Sequence, residues 1–191
     1  PGVRSPLTAV TGGGEPLAND EAIRCDSRRG IEIITREAGR LTKMVEELLE
    51  FTRIQDGRFT LHVSTVELPA LVEDCLYTYN ELFRHEDLAV TYVSPEEDLP
   101  EIPGDPERLS QVFLNILDNA CKYGKNGKKV DGNIPQDDAT VSVCSRDYGP
   151  GIPPAELPQV KKKFFKGSSK ERGSGIGLAV CDEIVTRHNG T

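Results

Sequence analysis

The stretch Gln111-Val-Phe-Leu-Asn-Ile-Leu-Asp-Asn-Ala-Cys-Lys-Tyr123 constrains the rest of the chain more than any other. Val112, Phe113, Ile116 and Leu117 fall at helical spacing and make one buried stripe. Asn115 and Asn119 stand one turn apart and project from a common face, which Lys122 extends by nearly another turn. Amides at two successive turns are poor material for a core helix. They suit a helix that holds a hydrated metal ion and a phosphate chain. Surface Asn pairs are common, so the helix alone leaves a plain solvated face open as a reading.

Composition narrows the partners. With 37% hydrophobic and 28% charged residues in 191, the chain reads as soluble and globular, one large domain or a small one with an appendage. A net charge of -8 argues against a general binder of nucleic acid or anionic membrane. The basic residues cluster, however: Lys161, Lys162, Lys163, Lys166, Lys170 and Arg172 form a local basic lid that fits a small polyanion such as a nucleotide. The five cysteines, Cys25, Cys75, Cys121, Cys144 and Cys181, form no C-x-x-C pair. A zinc site or disulfide framework is not expected, and a reducing cytoplasm is the default setting. No run of ~18 apolar residues predicts a membrane span. The chain starts at Pro1 and stops soon after Gly190, so it reads as a fragment whose parent is compatible with anchoring at the inner face of the cell membrane.

In chain order, Ile31, Ile34, Ala38, Leu41, Val45, Leu48 and Thr52 step by threes and fours. That heptad seam predicts a long helix over 27–54, and Met44, Leu49 and Phe51 widen it toward a four-helix bundle. Gln55-Asp56-Gly57 stops the helix and marks a boundary between domains 1–57 and 58–191. Beyond it the patterns predict a strand at 59–63, a helix at 67–84, a strand at 88–93 and an acidic, Pro-rich loop to Gly104. Asp105-Pro106 then caps the Asn-bearing helix. A polar connector over 124–138, a strand over 139–146, a short helix over 154–163 and a helix over 178–188 complete the reading.

Four features line up in order: the Asn-bearing helix, a strand ending Asp147-x-Gly149-x-Gly151, the basic loop, and Gly173-x-Gly175-x-Gly177-Leu178 leading into a helix. A buried Asp147 carboxylate would accept the exocyclic amino hydrogens of adenine, a donor that guanine lacks at that place. Gly149 and Gly151 let the backbone approach a base, and the three later glycines offer N–H groups at a helix start to phosphates. Asn119 offers an oxygen to Mg2+, which keeps several waters of its own. Each part also has a plain reading, a turn after a strand or a loop into a helix. The glycine spacing departs from Gly-x-Gly-x-x-Gly, and no P-loop is present.

With those motifs in place the chain resembles the sensor histidine kinases, whose ATP-binding domain shares a superfamily with DNA gyrase, the Hsp90 chaperones and MutL. Asn115, Asn119, Lys122 and Tyr123 match the N box, Asp147, Gly149 and Gly151 the G1 box, Phe164 and Phe165 the F box, and Gly173, Gly175, Gly177 and Leu178 the G2 box. The resemblance implies an α/β two-layer sandwich of the Bergerat ATP-binding type, a mixed sheet with helices on one face, preceded by an α-helical hairpin. It implies a lid from Ile152 to Ser174, with Ile152, Phe165, Lys166, Ser174 and Ile176 also around ATP and Asn119 on Mg2+. It further implies a homodimer through the hairpin, a response regulator receiver domain as partner, and transfer from a His to an Asp.

The chain also departs from that pattern. Arg4-Ser5-Pro6-Leu7-Thr8 is similar to the tail of the H box, yet the acceptor His position is Pro1 and the adjacent base position is Gly2. Ser5 replaces the usual Thr or Asn, Lys166 a common Arg, and the final hairpin of the domain is missing after Thr191. His62, His85 and His188 lie outside any H-box context. A non-catalytic, ATP-sensing dimeric scaffold therefore stays beside the kinase, as does a gyrase- or Hsp90-like ATPase.

Overall fold

The computed structural model describes residues 10, 12, 25–55, 59–96, 99–135, 140–168 and 174–191. The chain divides into two compact units, Pro1–Phe59 and Thr60–Thr191.

In the first unit, α1 (Cys25–Gln55) runs for 31 residues. Its heptad seam is largely open: Ala38 is buried, but Ile34, Leu41 and Leu48 are 59%, 43% and 42% exposed. Apart from residues 10 and 12, the expected first arm of the hairpin lies outside the described residues. So do Pro1, Gly2, Ser5 and the Asp56-Gly57 turn.

The second unit contains β1 (Ser64–Val66), α2 (Leu68–His85), β2 (Ala89–Val93), β3 (Ile102–Gly104), α3 (Pro106–Tyr123), β4 (Lys129–Asn133), β5 (Cys144–Asp147) and α4 (Gly177–Arg187). Strands β1 and β3 pair antiparallel as a two-stranded sheet. The larger sheet is mixed, in the order β2-β4-β5, with β2 parallel and β5 antiparallel to β4. Helix α3 packs between α2 and α4, while α2 meets β2 and α3 meets β5. The core joins Leu71, Cys75 and Phe83 of α2 to Leu109, Leu117 and Cys121 of α3, with Val66 and Leu88 beside them. Among the described residues, Ile184 of α4 and Val130 of β4 are the most deeply enclosed side chains, 0% and 1% exposed. Burial of such side chains supplies most of the driving force, ~1.5–3 kcal/mol for each large aliphatic residue.

Several boundaries differ from the sequence pattern, each for a physical reason. No strand forms over 59–63; the His62 N–H goes to the Asp105 carboxylate at 2.8 Å, and pairing begins at Ser64. The connector after α3 holds β4, the central strand, whose single large apolar residue is Val130. Pairing on both sides overrides its poor local propensity. In the Pro-rich loop, β3 tolerates Pro103 because its sheet has only two strands. Over 154–163 only a 3-10 turn, Leu157–Gln159, forms. Of the strand expected over 139–146, residues Cys144–Asp147 pair, and residue 139 lies outside the described residues.

The cap of α3 is a buried and well-anchored polar group. Asp105 is 3% exposed, and its carboxylate accepts N–H groups from Arg108 at 3.1 Å and His62 at 2.8 Å. Its own N–H donates to Nε2 of His188 at 2.9 Å, while Nδ1 of His188 lies 2.8 Å from the Ile184 carbonyl. A carbonyl only accepts, so the imidazole carries its hydrogen on Nδ1. Burial pushes the Asp105 carboxyl up, but the amides of His62, Arg108 and Glu107 and the Arg108 charge outweigh it, and the pKa lies below the ordinary value. A depressed carboxylate pKa stabilises the fold above the unfolded value of ~3.9, and that contribution is lost as pH falls through the folded value. Asp105→Ala is expected to cost about 1–3 kcal/mol in urea denaturation at pH 7, with the deficit relative to wild type shrinking below about pH 4.

Candidate functional site

Three of the sequence motifs converge on α3. At its C-terminal end, Gly149 lies so close that an added Cβ would collide with the Tyr123 carbonyl oxygen and sit 3.0 Å from Gly124 Cα. This close approach holds the turn after β5 against the helix. The Gly149 N–H donates to Asp147 Oδ1 at 2.9 Å, which fixes the carboxylate. Asp147 itself is exposed, not buried as the sequence reading required. It closes the open edge of a strand whose four residues all face solvent, so an adenine amino group would meet it at the surface.

Half-way along α3, Asn115 lies against the start of α4: a Cβ on Gly177 would stand 3.7 Å from Asn115 Oδ1. Cys181 of α4 reinforces that contact. Its thiol reaches the Val112 carbonyl at 3.8 Å, and burial pushes its pKa up to about 11 against a lowering hydrogen bond with Asn115. Asn119 follows one turn on, half-buried. Lys122 is paired with Asp118 at 2.5 Å, the two side chains 32% and 18% exposed. Asp118 did not figure in the sequence reading, although its spacing of four from Lys122 was a sufficient signal.

The segment before α4 folds against the F box. Gly175 has φ +75°, a left-handed conformation, and an added Cβ would lie 2.7 Å from the Phe165 carbonyl oxygen. The Phe164 N–H donates to the Gly175 carbonyl at 2.8 Å, and the Ile176 N–H to Ser174 Oγ at 3.2 Å. Ile176 is buried, Leu178 half-buried and Gly177 the first residue of α4. Gly173 lies outside the described residues. Earlier in the lid, Glu156 accepts the Ser168 N–H at 3.1 and 3.3 Å, and Lys161 pairs with Asp182 of α4 at 2.7 Å. The Glu156 tie has no local signature, since twelve residues separate its ends. Ile152 and Phe164 are exposed, Phe165 is half-buried, and Lys166 and Gly151 are exposed.

Among the described residues, no cluster of three or more His, Cys, Asp or Glu side chains is able to hold a metal ion. An Mg2+ ion does not need one, because it is commonly held by one or two protein oxygens, substrate phosphates and water. Asn119, half-buried between Asn115 and Lys122 on one helix face, fits that role.

Residues 104–191 match the model of the histidine kinase-, DNA gyrase B-, and HSP90-like ATPase family. Over that region the chain is similar to this family. Across 98% of its length the chain is 30% identical to the adaptive-response sensory kinase SasA of Rippkaea orientalis, of which it covers 50%. The chain spans half or less of the length of the curated sensory kinases it matches. The solved structure of full-length ShkA in complex with AMPPNP superposes with a TM-score of 0.79 at 23% identity, over 96% of this chain and 38% of that one. Histidine kinase ThkA in complex with response regulator protein TrrA gives 0.70 at 23% identity, over 98% and 52%. At these identities the two structures show the shared fold. No helix among the described residues is long and apolar enough to cross a membrane.

The close packing at Gly175 makes a direct test. Gly175→Ala meets both the left-handed φ and the Phe164–Phe165 backbone, and is expected to lower stability by about 1–3 kcal/mol in a thermal melt. Gly12→Ala, which would add a Cβ with nothing within 4 Å, is expected to change it by less than about 1 kcal/mol.

Proposed function

We propose that residues Thr60–Thr191 bind ATP with Mg2+ as the catalytic core of a sensor histidine kinase, which phosphorylates a His and relays the phosphoryl group to an Asp of a response regulator. The observation that carries this reading is the convergence on α3. The Asp147–Gly149 turn packs on its end, and the Gly175–Gly177 entry to α4 meets its middle, although about sixty residues separate the motifs in sequence. Asp147 would hold the adenine amino group, and the N–H groups at the start of α4 would face phosphates. Asn119 would hold Mg2+, which when bound neutralises phosphate charge. Lys166 would add compact positive charge without bidentate geometry, and Lys122, already paired with Asp118, would stand beside the phosphates. Phosphoryl transfer asks for positioning and charge neutralisation more than covalent help. The bound AMPPNP of ShkA and the response regulator of ThkA support the same assignment.

The open seam of α1 supports a homodimer through the hairpin, since Ile34, Leu41 and Leu48 are large apolar side chains in one heptad row. Leu41→Asp together with Leu48→Asp is expected to shift the sedimentation coefficient from dimer to monomer; a wild-type monomer at tens of micromolar would end this part of the reading.

A second reading is favoured by the histidines. The sequence holds His62, His85 and His188; His188 has both ring nitrogens engaged, and His85 lies beside Glu86 at a helix end. An ATP-sensing scaffold that signals by conformation therefore stays as the second reading. Both readings require the nucleotide. Calorimetric titration is expected to show Mg·ATP binding that weakens at least about tenfold in Asp147→Asn, one charge-assisted hydrogen bond, with GTP bound much more weakly than ATP. No Mg·ATP affinity, or an Asp147→Asn variant indistinguishable from wild type, would remove the adenine site.

A further inference from the structure

The ion pair between Asp118 and Lys122 lies inside the face proposed to meet phosphate. On α3, residues 115, 118, 119 and 122 share one side, at spacings of three, four and seven. Asn115 and Asn119 carry no charge there. Lys122 is the cation of that face, and Asp118 holds it at 2.5 Å with both side chains mostly screened from water. The charge of Asp118 is also felt across the core. Burial first, then the Asp118 carboxylate, pushes the Tyr79 hydroxyl of α2 up to about 12. A solvent-exposed helix pair would be a minor surface contact, but a pair this enclosed sets the local electrostatic balance.

We infer that Asp118 is a specificity-determining residue that makes nucleotide binding depend on a divalent cation. Because Asp118 neutralises Lys122, the helix face presents no net positive charge to a triphosphate. A metal-free nucleotide then meets a carboxylate with its full negative charge. A nucleotide carrying Mg2+ brings its own compensation and is accepted. Asp118 thus discriminates between two forms of one ligand without touching the base, and Lys122 is the counterweight whose removal strengthens the same discrimination. This inference rests on the ATP-site reading above.

The test is calorimetric titration of the full chain with ATP, once with excess Mg2+ and once with EDTA, read as the ratio of the two dissociation constants. Asp118→Asn frees the Lys122 charge, so metal-free binding is expected to tighten and the ratio to fall roughly tenfold. Lys122→Gln removes the cation that pairs with Asp118, so the ratio is expected to rise, even though both affinities drop. Thermal melts of both variants report folding, and either variant alone decides the direction. A ratio unchanged in both, or affinities that fall in parallel with and without the metal, would reduce the pair to helix packing and overturn the inference. A wild-type chain that binds no ATP under either condition would overturn the ATP-site reading itself, and this inference with it.

Discussion

The buried carboxylate of Asp105 holds together parts of the second unit that hydrophobic packing alone would leave free to slide. It caps α3, receives the amide of His62 from the segment before β1, and through its own N–H reaches His188 at the end of α4. A carboxylate that is 3% exposed is costly unless hydrogen-bonded, and here the orphan amides of a helix start supply the partners. The result is directional. Apolar contacts between α2, α3 and α4 favour their association, but the Asp105 network fixes where along its axis α3 begins relative to α4. Since Asn115 of α3 faces Gly177 of α4, that register places the two motifs side by side.

The other device is the absence of side chains. The turn after β5 meets the end of α3 at Gly149, and the F box meets the loop before α4 at Gly175, each at distances that a Cβ would forbid. Such contacts hold the turn after β5 against α3 and the F box against the loop that leads into α4. The lid is anchored differently. Glu156 gathers the Ser168 amide and Lys161 reaches Asp182, so polar ties rather than apolar packing hold the described part of this hydrophilic segment.

Much of this was legible in the sequence because it depends on local pattern. The heptad of α1, the apolar stripes of α2 and α3, and the Asp105-Pro106 start each act within one or two helical turns. The strands were less legible. Lys129-Val-Asp-Gly-Asn133 has little strand propensity and is central only because β2 and β5 pair with it from both sides. Phe59 to Val63 has the right alternation but joins no strand ladder, since the His62 amide is drawn to Asp105. The motif residues were found by type and spacing, whereas the solvent exposure of Asp147 was not. That exposure follows from β5 lying at the sheet edge, a fact of topology that no local window contains.

On the proposed reading, binding and transfer would be separable. Each group assigned to the nucleotide belongs to the unit Thr60–Thr191, and the polar network that aligns α3 with α4 is confined to that unit as well. The groups of that network, His62, Asp105, Arg108 and His188, all lie in the second unit, so the proposed nucleotide site would not depend on an acceptor histidine elsewhere. The same independence lets one ATP-binding scaffold serve a kinase or a sensor that only holds nucleotide. What distinguishes them is the presence of a nucleophilic imidazole and a base beside it, not the α3 face. On the proposed reading, the charge balance of that face, with Lys122 already matched by Asp118, suits a site that would recognise a metal-bearing nucleotide before any phosphoryl group moves.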